Sequence, residues 1–172
     1  MLRLARALAI CMCVVAAGAC GDDDSPTAPG NDVRLIAGLS PFNEVPAVSN
    51  ADRTGSGLVE ITLHLTRDTA NAITAATADF EVRLTGFPTG TTLTGAHIHP
   101  GVAGVNGSVA VSTGIASGEI VLTDGSGSFT RNGVTVTPTV AQNLLTNPAG
   151  FYFNVHSTLN PPGMARGQLQ LQ

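Results

Sequence analysis

The chain has four histidines, and two of them, His97 and His99, stand one residue apart in "GAHIHPGVAGVNG", residues 95–107. In an extended strand, residues i and i+2 point to the same side. His97 and His99 therefore face one way, and Ala96 and Ile98 the other. Such a pair can present two imidazole nitrogens to one ion, but zinc or copper needs at least a third ligand. His156, in "FYFNVHS", is the natural third, because the aromatic face of that segment points away from it. Glu44 and Asp79 are possible carboxylate ligands. A second reading stays open beside the metal site. Neutral histidines donate and accept hydrogen bonds, so the same rings could join Glu44, Asn154 and Arg166 in a buried polar network. The two readings differ in geometry. A metal site requires ring nitrogens within roughly 3–4 Å of one another. A network requires a partner for each ring, with Glu44 or Arg166 bonding at least one. His64 falls on the polar face of its segment and is expected to be exposed.

Other chemistries find little support. Ser157 follows His156 directly, so the two point to opposite faces of a strand. There is no Gly-x-Ser-x-Gly elbow, and "AGVNG" lacks the Lys-Ser/Thr of a phosphate loop. No catalytic residue emerges. Lysine is absent, and no basic cluster is present. From Cys20 onward the 12 acidic residues face 6 arginines, since 2 of the 8 basic residues precede it, for a net charge of −6. Nucleic acid is therefore not an expected partner.

Short strands must position these groups. "LVEITLHLT" alternates Val59, Ile61, Leu63 and Leu65 with polar residues, and "DFEVRLTG" does so with Phe80, Val82 and Leu84. "GFYFNVHS" sets Phe151, Phe153 and Val155 opposite Tyr152, Asn154 and His156. A period of two marks strands with one buried face. Shorter candidates are 33–39, 93–99, 108–113, 119–123, 127–131 and 165–171, separated by Gly-, Pro- and Asn-rich turns. "TPTVAQNLLTNP" predicts one short helix near 138–146, capped by Thr137, entered by Pro138 and ended at Asn147-Pro148. Eight or nine short strands predict an all-β, antiparallel β-sandwich of immunoglobulin-like or Greek-key type.

The start of the chain reads as an address. Residues 1–19 carry Arg3 and Arg6, then the apolar run "ALAICMCVVAA", then small residues, which is the pattern of an export signal. "AGAC" resembles a bacterial lipobox, which predicts lipidation of Cys20 and attachment to the membrane. Residues 20–32 are acidic and rich in Pro and Gly, and read as a disordered tether. The domain is expected over 33–172. The expected location is the bacterial cell envelope, at the periplasmic face or the cell surface, with an unidentified protein or small-molecule ligand.

Four segments in order, "LSPFNEVPAV", "GAHIHPGVAGVNGSVAV", "FYFNVHS" and "PPGMARGQLQ", resemble the chordin-type CHRD domain over about residues 33–172. The resemblance implies a β-sandwich in an exported binding or structural module, with no assigned chemistry. It picks out Glu44, Pro46, His97, His99, Gly104, Gly107, Asn154, His156, Pro162, Gly163, Arg166 and Gly167. Met164 stands where that family usually has an acid. A more local likeness links "GAHIHPGVAGVNG" to copper/zinc superoxide dismutase, also a β-sandwich. It implies His97, His99, His156 and Arg166 as counterparts of a copper site, although the bridging histidine, zinc loop and disulfide have no counterpart here.

Overall fold

The computed structural model describes residues 31–172. The expected export signal 1–19, Cys20 and nearly all of the expected tether lie outside the described residues. Strand β1 (Asp32–Leu39) begins one residue before the expected domain boundary. The other long strands are β2 (Ser56–Arg67), β3 (Ile73–Thr85) and β4 (Thr91–Pro100). Two short strands follow, β5 (Val111–Ser112) and β6 (Val121–Leu122), then β7 (Gly127–Val136). Helix α1 (Pro138–Thr146) leads to β8 (Phe151–Ser157), β9 (Ala165–Gln168) and β10 (Gln170–Leu171). Among the described residues no helix is long and apolar enough to cross a membrane.

The strands form two antiparallel sheets, ordered β10-β1-β2-β3-β7 and β5-β4-β8-β9, with β6 also pairing β4. The expected apolar faces supply the core between them. Val59 lies opposite Val82, and Ile61 opposite Phe80. Val59, Ile61, Leu63, Phe80 and Val82 are all buried. The Phe80 ring meets Phe153 of the other sheet at 5.9 Å. Burying each such side chain contributes about 1.5–3 kcal/mol. Helix α1 coincides with the expected segment. The Thr137 side chain accepts from the Val140 N–H, and Ala141 and Leu144 face the core.

Three elements depart from the sequence pattern. The segments expected at 108–113 and 119–123 pair for only two residues each, both along β4. Gly114 and Gly118, with φ of 73° and 83°, break the extended backbone between them, although Thr113 and Gly118 still donate to β4 carbonyls. The segment expected at 165–171 divides at Leu169, which is fully buried. Its first half stays in the second sheet on β8, and its second half crosses to pair with β1. Finally, β8 is covered on both faces. Tyr152 and Asn154 are as buried as Phe151 and Phe153, because other segments fold over the outer face of the second sheet.

Candidate functional site

That covered face carries the histidines. Antiparallel register sets His97 of β4 opposite Asn154 of β8, His99 opposite Tyr152, and Gly95 opposite His156. On the far side of β8, Asn154 faces Arg166 and Tyr152 faces Gln168 of β9. The side chains of His97, His99 and His156 converge, each offering one nitrogen such that all three lie within 4.8 Å of one another.

Backbone carbonyls fix the tautomers. His99 Nδ1 donates to the Gly107 carbonyl at 3.0 Å, and His156 Nδ1 to the Pro161 carbonyl at 2.8 Å. A carbonyl only accepts, so both rings carry their proton on Nδ1 and keep a lone pair on Nε2. His97 Nδ1 lies 3.0 Å from His156 Nε2 and, with that lone pair facing it, is the donor. His99 Nε2 is buried and has no partner. Burial drives the His97 ring down from 6.5 to about 4, helped by repulsion from His156 and His99. Burial also lowers His156, partly offset by the Pro161 carbonyl. Burial thus favours the neutral form of the His97 and His156 rings, the form that binds metal.

Glycines make the space. A Cβ on Gly95 would stand 2.9 Å from His97 Cε1, and one on Gly107 would overlap the Pro100 carbonyl. The loop 101–110 is held over the site by several bonds. The Gly107 N–H donates to the Tyr152 hydroxyl, and the Asn106 amide to the Val45 carbonyl.

The remaining predicted residues form an adjoining layer. The Arg166 guanidinium, nearly fully buried, donates from Nε to the Asn43 carbonyl at 2.6 Å and from Nη1 to Asn106 Oδ1 at 2.8 Å. It lies 4.5 Å over the Tyr152 ring, which in turn stacks on His99 at 5.0 Å with the planes 6° apart. Glu44 Oε2 is 3.9 Å from Arg166 Nε. Burial pushes the Glu44 carboxyl up from 4.5 to about 7, against the opposing pull of Arg166 and then of the Asn154 amide. Among the described bonds none joins Glu44 or Arg166 to a histidine ring.

Asp79 is not a neighbour of this site. It bonds His64 Nε2 at 3.1 Å and accepts from the Gly133 N–H at 2.7 Å. His64, expected merely to be exposed, bridges Asp79 and Asp32, and these two bonds raise its pKa, Asp32 the more strongly. Met164, in the place of an acid, is a core residue. Sequence reasoning missed Gly95, the Gly107 and Pro161 carbonyls and the stacking role of Tyr152. Of these, only the glycines flanking the His-x-His pair left a readable trace.

No curated protein and no solved structure matches the chain. The family model of the CHRD domain matches residues 35–169, which spans nearly all of the sandwich and every residue of the histidine face. The chain therefore belongs to the CHRD domain family, and its sandwich is a binding or structural module.

Proposed function

We propose that this module is exported and lipid-anchored through Cys20 in the bacterial cell envelope, and that His97, His99 and His156 hold one copper or zinc ion. The observation that carries the metal reading is the convergence of three nitrogens within 4.8 Å, looser than the roughly 3–4 Å of an occupied site, so the rings must draw in by up to about 1 Å around an ion. The partnerless, buried Nε2 of His99 supports it, as do the two carbonyls that hold the Nδ1 protons of His99 and His156 and leave Nε2 as the ligating atom; His156 Nε2 exchanges its bond from His97 for the ion. An all-imidazole set suits copper or zinc and not magnesium or calcium. The anchor reading rests on the small residues before Cys20 and the acidic segment after it.

Tyr152 is the sole tyrosine, there is no tryptophan, and its ring stacks on His99. Its fluorescence is therefore a built-in reporter. Titrating untagged domain with copper(II) should quench it at one equivalent, zinc should compete, and His97→Ala should abolish saturation. Quenching that needs a large molar excess, or that is unchanged in His97→Ala, would overturn the reading.

A further inference from the structure

Three imidazoles leave a zinc or copper ion with a position to fill. Among the described residues no Cys, Asp or Glu joins the three histidines within 4.8 Å of one another. Two side chains flank His97 across the sheet. On β5 it is Ser112, whose Oγ already accepts from the Gly114 N–H at 3.2 Å. On β8 it is Asn154, which also stands two residues before His156 and so shares its face. Directly opposed residues hold their Cβ atoms about 4.5–5.5 Å apart, so the Asn154 side chain starts out beside His97 and on the face of His156. It is 2% exposed, and its Oδ1 has no partner. A buried acceptor left unpaired is costly, and native proteins seldom keep one without a use. A metal ion satisfies the His99 lone pair, and copper or zinc held by imidazoles favours nitrogen over a neutral carboxamide oxygen, which is left to accept a hydrogen bond. A ligand bearing an O–H would satisfy it.

Resting on the three-histidine reading, we propose that Asn154 is a positioning residue whose Oδ1 accepts a hydrogen bond from a small hydroxylic ligand at the open position of the ion. The centre then favours protic oxygen ligands, water and hydrogen peroxide being the smallest, over anions that carry no proton. Glu44, hydrogen-bonded to the Asn154 side chain, steadies it from the other side.

The test is azide competition on copper-loaded domain, followed by its visible charge-transfer band, with copper affinity measured first. Azide cannot donate to Asn154, so it must displace a ligand that does. Asn154→Leu should leave copper affinity within about threefold of the wild type and tighten azide binding about tenfold, the loss of one hydrogen bond to a polarised group. If the leucine variant does not fold, Asn154→Ala is read in the same way. Equal azide affinity with normal copper binding sinks this proposal alone. A variant that loses copper and azide affinity together shows a merely structural role for Asn154, and also overturns it. Failure of the wild type to take up copper, seen before azide is added, removes the three-histidine reading and this proposal with it.

Discussion

Replacing Glu44 by Gln should change how the stability of the metal-free domain depends on pH. Burial lifts the Glu44 carboxyl from 4.5 to about 7 in the folded chain. Between those values the folded chain keeps a proton that the unfolded chain has lost. Stability must therefore fall as the pH rises through this window, at up to about 1.4 kcal/mol per pH unit. Across the whole window the loss approaches about 3 kcal/mol, a large share of the 5–15 kcal/mol that holds a typical domain folded. His97 acts in the opposite sense. Its ring falls from 6.5 to about 4 on folding, so the unfolded chain binds the extra proton between those values. Stability from this group is complete above 6.5 and is lost as the pH drops toward 4. The two windows overlap, and in the wild type their slopes largely cancel between 4.5 and 6.5. Glu44→Gln removes one slope and leaves the other. The variant should gain on the wild type steadily from below pH 5 to above pH 7, reaching about 3 kcal/mol relative to their difference at acid pH. Urea unfolding in the presence of a chelator, followed by Tyr152 fluorescence, measures this directly. Contributions from the other titrating groups cancel in the difference. Two parallel pH profiles would refute the argument, because they would mean that Glu44 does not titrate differently in the folded chain.

Phe153→Ala should cost about 3–5 kcal/mol, since the ring is fully buried and packs across the sheets on Phe80; a melting temperature moved by only a degree would contradict that packing. Gly95→Ala should lower copper affinity about tenfold while the far-ultraviolet circular dichroism stays unchanged, because the new methyl group displaces the His97 ring and not the strand. Cys20→Ser should move the protein from the detergent to the aqueous phase on phase partition; unchanged partitioning would remove the lipid anchor.

The alternation of Val59, Ile61, Leu63 and Leu65, and of Phe80 and Val82, placed the core without reference to anything distant, because a one-faced strand writes its burial into a period of two. The His97–His99 pairing was legible for the same reason. The approach of His156 was not. It depends on β4 and β8 being neighbours in one register, and pairing between segments separated by 59 residues leaves no local mark. The burial of Tyr152 was hidden too, since the loop 101–110 that bonds it is Gly- and Val-rich and has no period. The Nδ1 partners of His99 and His156 escaped notice because they are backbone carbonyls, which every residue possesses. The split at Leu169 was masked by a Gln-Leu-Gln-Leu alternation that fits one continuous strand.

The crossing at Leu169 has a consequence for how this domain comes into being. Residues 165–168 complete the second sheet, while Gln170 and Leu171 pair with Leu35 and Ile36 of the first strand. Arg166 also reaches back to Asn43, 123 positions earlier. A chain that emerges N-terminus first therefore holds β1 with an unpaired edge, and leaves the histidine face without its outermost strand, until residues 165–171 arrive. Contacts of such span are slow to form, because the intervening chain must be ordered before they stabilise anything. The two sheets therefore close together only once residues 165–171 are available to pair.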